Sequence, residues 1–164
     1  MLYLVVFLAA VLALAYFAAQ NSRPAQTAPA YPYVKCEALF TPTERSFLGV
    51  LEQSVGGQYR IMGKVRLGDI VAVEKRIASS SRQSALNRIN SKHVDFVLCD
   101  PQTLAIRLVV ELDDRTHERA DRKARDEFVN AALAAAGVPI ARIPARSAYS
   151  VAELSQQIEA ALKL

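Results

Sequence analysis

Two apolar runs, Val94-Asp95-Phe96-Val97-Leu98 and Leu108-Val109-Val110-Glu111-Leu112-Asp113-Asp114, stand either side of a short turn and carry acids among their aliphatic residues. Strands alternate faces with a period of two, so Glu111 and Asp113 point the same way. A carboxylate is costly among aliphatic side chains unless something compensates its charge. Taken singly, each acid could simply cap a strand end in solvent. Asp95, Glu111 and Asp113 together, at the ends of neighbouring strands, point to a hard divalent cation such as Mg²⁺, which takes carboxylate oxygens.

The chain has 164 residues and is 52% hydrophobic, enough for one sizeable core but not for two full domains. Part of that hydrophobicity is concentrated at the N-terminus, where no charge occurs before Arg23. Wound as a helix, such a run matches a bilayer core about 30 Å thick. A secretory signal is the other reading, with small residues at Ala18-Ala19, but Leu2-Tyr3-Leu4 offers no basic n-region. An uncleaved anchor is the better fit. Every Lys and Arg follows the span, so the positive-inside rule expects a single-pass inner-membrane protein with its soluble body in the cytoplasm. The expected division is a transmembrane helix over 1–19, a Pro/Ala-rich tether over 20–38 and a folded domain over 39–164.

Cys36 and Cys99 are read as unpaired, one ahead of the domain and one inside an apolar strand. With no CxxC and two His, a structural zinc site is not expected. The net charge of +4 belongs to the soluble part and suits either a polyanion or an anionic leaflet.

Thr41-Pro42-Thr43-Glu44 is a helix start: cap, Pro at the first position, and Glu three residues after the cap. Phe47, Leu48, Leu51 and Val55 recur at helical spacing until Gly56-Gly57. Tyr59, Ile61, Val65 and Leu67 alternate as a strand. Ser79-Ser80-Ser81 reads as a loop feeding a short helix that carries Leu86 and Ile89. Asp100-Pro101-Gln102-Thr103 is turn chemistry, so strands over 94–99 and 104–113 should form an antiparallel hairpin. A helix over 118–136 is expected to bury Ala120, Ala124, Phe128, Ala131 and Ala135, and Gly137 ends it. A strand over 138–143 and a helix carrying Val151, Leu154, Ile158 and Leu162 complete the chain. The strand after the crossover should run parallel to 104–113.

This order, with these acids, resembles the restriction-endonuclease-like αβββαβ core of the PD-(D/E)XK nucleases, a mixed sheet flanked by helices. The match is nearest to the branch of the very-short-patch repair endonucleases. The residues that carry it are Val94-Asp95-Phe96, then Val110-Glu111-Leu112-Asp113-Asp114-Arg115-Thr116-His117, Asp126 to Asn130, Gly137 and Arg142, with Glu44 in place of an acid on the first helix. The chain also looks like a membrane-anchored domain-of-unknown-function family of the DUF2726 type. The resemblance covers roughly 39–145. Asp113 stands where the lysine of the E-x-K motif would be, and Asp114 replaces a glycine.

What the resemblance implies is a divalent-metal-dependent phosphodiester hydrolase acting on nucleic acid, DNA first, with Mg²⁺ or Mn²⁺. Asp95 and Glu111 would ligate the ion, Asp113 would contact it directly or through water, and Glu44 would orient a bound water. His117 would be general acid or base, with an ordinary pKa near neutrality. Lys64 or Arg66 would supply the cation the missing lysine gives elsewhere. Arg119, Arg122 and Lys123 share a helix face that could meet phosphates, although such a run is usually solvated. Glu44 is fully explained as the N3 partner of a capping box, the favoured reading, and Arg142 as an internal partner of the acids. The competing function is a catalytically inactive module of the same fold, an adaptor that binds nucleic acid or protein at the membrane.

Overall fold

The computed structural model describes residues 1–21, 31–113 and 120–163, in two compact units, Met1–Glu37 and Ala38–Leu164. In the first unit, α1 (Leu2–Asn21) is apolar on all sides, with Tyr3, Leu4, Phe7, Leu12 and Phe17 exposed. The side chains of Leu2, Val5 and residues 18–21 lie outside the description. Among the described residues, no helix is long and apolar enough to cross a membrane. Most of the expected tether, 22–30, also lies outside the described residues.

The second unit opens on α2 (Pro42–Val55), where the capping box is formed. The Glu44 N–H donates to Thr41 Oγ1 at 3.3 Å, and the Thr41 N–H donates to Glu44 Oε2 at 2.9 Å. Two otherwise orphaned helix-end donors are thereby satisfied. Gly56 stops the helix in the left-handed region, φ 53°, where a side chain would be strained. Then follow β1 (Arg60–Arg66), α3 (Leu67–Ile70), α4 (Ser79–Asn90), β2 (His93–Cys99), β3 (Ile106–Asp113), α5 (Ala120–Ala135), β4 (Ile140–Pro144) and α6 (Val151–Leu162).

The four strands form one mixed sheet in the order β1-β2-β3-β4. β1 and β3 are antiparallel to β2, and β4 lies parallel to β3, with Glu111 paired to Arg142. Helices flank the sheet. α2 and α6 bring Phe47, Leu51, Leu154 and Ile158 against Phe96, Leu98, Leu108, Val110 and Ile143. α3, α4 and α5 bring Leu67, Ile89, Val129 and Leu133 against Val97, Cys99 and Val109. The hairpin turn is built by Asp100, whose Oδ1 accepts from the Gln102 and Thr103 N–H groups and from the Thr103 hydroxyl.

Several expectations are corrected. Ser79-Ser80-Ser81 is the first turn of α4, not a loop, and the four-residue α3 was not foreseen. The strand expected from residue 104 begins at Ile106, because Leu104 sits at φ 59° inside the turn. The buried face of α5 is not the alanine stripe: Ala124, Ala131 and Ala135 are exposed, while Val129 and Leu133 are buried. Branched side chains at i and i+4 bury far more apolar area than alanines, so they decide which way the helix turns. Cys36 is exposed, Cys99 buried, and both are free.

Candidate functional site

The alternation of β2 slips at its beginning. Val94 and Val97, three residues apart, join one core cluster, while Phe96 joins the other. Opposite this slip, Lys64 of β1 adopts φ 55°, between the paired residues Gly63 and Val65. The ring of Phe40 lies over Gly63 so closely that a Cβ there would meet it at 2.3 Å, which leaves room only for glycine beside Lys64. The consequence is local and chemical. Asp95 lays its carboxylate into the β2–β3 seam, where Oδ2 accepts the Leu112 N–H at 3.0 Å.

Two charge clusters result, with Glu111 between them. In the first, Lys64 Nζ lies 2.5 Å from Glu44 Oε1 and 3.6 Å from Asp95 Oδ1. Glu44 thus serves two partners, one carboxylate oxygen on the helix cap and the other on the lysine. Burial pushes its pKa up, but the hydrogen bonds from Lys64 and Thr41 outweigh that and hold it below its ordinary value. In the second cluster, Arg142 Nη1 donates to Asp113 Oδ1 at 2.6 Å and its Nε donates to Asn130 Oδ1 at 3.0 Å. Its Nη2 is buried without a hydrogen-bond partner among the described residues, 3.8 Å from Asp126 Oδ1.

Glu111 is the buried charged residue of this core, 6% exposed, and no donor among the described residues hydrogen-bonds its carboxyl. Its pKa is pushed up to about 8, first by burial and then by the charge of Asp95. Arg125 and Arg142 oppose the rise, and Asp126 adds to it. At neutral pH the fold therefore holds Glu111 mainly as the neutral acid, a group whose ionisation awaits a cation.

Of the residues singled out in the sequence, the structure gathers Glu44, Lys64, Asp95, Glu111, Asp113, Asp126, Asn130 and Arg142 at the same end of the sheet. Arg66 is not among them; its guanidinium pairs with Asp69 on the exposed side of α3. Lys123 is exposed. His117 and Arg119, with Asp114, lie outside the described residues, as does the side chain of Arg122. Among the described residues, no three His, Cys, Asp or Glu side chains form a group that could hold a metal ion. The reason is visible in the pairing: Asp113 is drawn to Arg142 while Asp95 is drawn to Lys64 and the Leu112 amide. Sequence reasoning missed Arg125, whose Nη2 donates to the His93 carbonyl at 3.0 Å while its charge reaches Glu111. Its place one residue before Asp126 was the available signal.

These features define an α/β protein whose four-stranded mixed sheet, flanked by helices, carries a charge-compensated carboxylate cluster at one end of its central strands. The chain belongs to the family described as Protein of unknown function (DUF2726), whose model matches residues 36–162. The match covers all but the last two residues of the second unit and leaves α1 outside. No curated protein and no solved structure matches the chain.

Proposed function

We propose that the second unit is a divalent-metal-dependent, nuclease-like domain acting on nucleic-acid phosphodiesters, held at the membrane by α1. The observation that carries the reading is Glu111: a buried carboxyl on a central strand, without a donor among the described residues, close enough to Asp95 for that side chain to raise its pKa. Ionising Glu111 there is costly unless a cation compensates the charge, since Lys64 and the Leu112 amide already serve Asp95. Because Asp113 is held by Arg142 and no three acids converge among the described residues, Asp95 and Glu111 would have to bind a hard ion as a pair, with Asp113 contributing through water. When bound, Mg²⁺ or Mn²⁺ would supply charge neutralisation at the phosphate and a more acidic water.

The protein's own groups would do the rest. Lys64, fixed by Glu44 and Asp95, offers the cation that Asp113 displaces from the E-x-K position. Glu44 orients that ammonium from the first turn of α2. Arg142 holds Asp113 and faces Asp126, keeping the acids apart until substrate arrives. His117, outside the described residues, is the candidate proton carrier. Such an αβββαβ arrangement is what the PD-(D/E)XK resemblance implies.

For the membrane, the support is the sequence composition alone, since no helix among the described residues is long and apolar enough to cross. The 20 residues of α1, Leu2 to Asn21, include no charge. At 1.5 Å per residue they extend about 30 Å, a bilayer core. A helix apolar all round needs a partner core or lipid around it. The body would then lie on the cytoplasmic side of the inner membrane.

A second reading has its own observation. Lys64 and Arg142 already neutralise Glu44, Asp95 and Asp113, as they would in an inactive adaptor of the same fold. Calorimetry with Mg²⁺ and Mn²⁺, alongside nicking of supercoiled DNA, separates the two. The metal-dependent reading expects ion binding by the unaltered protein and a loss of at least ~100-fold in affinity for Asp95→Asn and for Glu111→Gln. Unchanged affinity in both variants rejects a carboxylate metal site. Ion binding with no cleavage of DNA or RNA moves the assignment to the adaptor.

A further inference from the structure

On the flank of the sheet covered by α4 and α5, two basic side chains gather over one ring. The guanidinium of Arg88 lies 4.0 Å from the centroid of Phe128, and Lys92 Nζ lies 5.1 Å from it. Arg88 lies in the last turn of α4 and Lys92 two residues beyond its end, and neither has an acidic partner among the described residues. Two like charges sharing one ring repel each other. The ring's negative face and the Arg88 carbonyl, which accepts from Lys92 Nζ at 3.2 Å, hold them there.

Arg125 precedes Phe128 by three residues on α5 and so lies on the same helix face. Its guanidinium is anchored to the carbonyl of His93, the residue after Lys92. Its positive charge also reaches Glu111 in the carboxylate cluster. The basic group is therefore continuous with the acidic one: Arg88 and Lys92 on Phe128, then Arg125, then Glu111.

We propose that Arg88, Lys92 and Arg125 form a phosphate-contacting track that leads a nucleic-acid backbone from the α4–α5 flank into the carboxylate cluster. The proposal deepens the nuclease-like reading and rests on it for the direction of the track. Arg88 and Lys92, held by a ring and a carbonyl, keep hydrogen-bond donors and charge available, which is what phosphate oxygens take up; Arg125 also lies 3.8 Å from Asp126 Oδ1 and is the more compensated of the three. An acid cluster alone would repel a polyanion, and a basic approach offsets that repulsion. A single-strand backbone is the favoured occupant over an anionic bilayer, because lipid headgroups give no account of a track that ends at a buried acid pair.

The test uses the full chain in detergent, in EDTA so that ion binding and cleavage play no part. Binding of a labelled ~30-nucleotide single strand and of its duplex is followed against salt. Arg88→Gln/Lys92→Gln should flatten the plot of log K against log salt by about 1.4 for the single strand and weaken binding at least tenfold at low salt. Arg60→Gln/Arg146→Gln removes the same charge from exposed residues outside the track and should leave the slope within experimental scatter. Arg88→Lys keeps the point charge and should retain most of the affinity, which separates lost charge from lost folding. Equal effects of the two double variants overturn the track. So does binding to phosphatidylglycerol vesicles that depends on Arg88 and Lys92 when neither nucleic acid binds. Unchanged ion affinity in Asp95→Asn and Glu111→Gln, with this salt slope intact, counts against the metal site alone and leaves the track standing.

Discussion

Two carboxylates at opposite ends of one hairpin have opposite fates. Asp100, at the turn, gathers three hydrogen bonds on a single oxygen, and these hold its pKa below the ordinary value. Glu111, five residues into β3 beyond Ile106, is buried, has no donor among the described residues, and has its pKa pushed up to about 8. Residue type does not separate them; hydrogen-bond supply does. An acid that local donors satisfy keeps its charge at low cost, whereas an acid buried without donors holds its proton to a higher pH.

The strongest way to break this contrast is through pH. Glu111 has a folded pKa of about 8 against an ordinary 4.5. Between those values the folded state keeps a proton that the unfolded state has lost, so stability falls as pH rises through the window. The contribution is fully present below pH 4.5 and lost above about 8, with an upper bound of about 4–5 kcal/mol. Glu111→Gln should remove most of this slope and leave the protein more stable than its parent at pH 9, measured by urea unfolding from pH 5 to 9. Ion affinity should run the opposite way in the parent, rising with pH because the carboxyl must release its proton to bind. A flat affinity profile, or an unchanged stability slope in Glu111→Gln, would remove the contrast.

A sharper and smaller effect tests the second cause of that shift. Asp95 lies across the seam, and its charge ranks after burial in raising Glu111. Asp95→Asn should bring the Glu111 pKa down partway, followed by carboxyl NMR titration, without returning it to the ordinary range. Its loss of charge should also weaken the grip on Lys64 while leaving the Lys64–Glu44 pair. A Glu111 pKa that does not move would mean that the two carboxyls are not coupled, and a shared ion would lose its basis.

How much of this was legible follows the range of the interactions. The helix cap at Thr41 and Glu44, the turn at Asp100 and the parallel return of β4 are set by a few neighbouring residues or by a strong chain-connection rule, and all could be read. The acids of β2 and β3 could be placed together because the hairpin fixes their register. The slip beside Lys64 could not, since it depends on Phe40 pressing on Gly63 from a segment more than twenty residues earlier. The alanine stripe of α5 misled for an energetic reason: periodicity counts positions, whereas burial follows area, and Val129 with Leu133 carries more of it. Arg88 meets Phe128, and Arg125 meets the His93 carbonyl, only after α4, β2 and α5 have packed together.

The smallest expected effect lies at the satisfied end of the hairpin. Asp100→Ala removes the acceptor for both turn amides and the Thr103 hydroxyl, but those groups are close to water and can be rehydrated. The melting temperature should drop slightly at neutral pH. Because the folded pKa is lowered, the parent's advantage should be present above the unfolded pKa near 3.8 and disappear as pH falls through the folded value. Ion affinity and the salt slope of nucleic-acid binding should not change, since the turn lies at the opposite end of β2 and β3 from Asp95 and Glu111. Thermal melts from pH 2.5 to 7, run with calorimetry at pH 8, check both halves. A loss of ion binding in Asp100→Ala would mean that the two ends of the hairpin are coupled and that satisfaction by local donors does not mark an acid as purely structural.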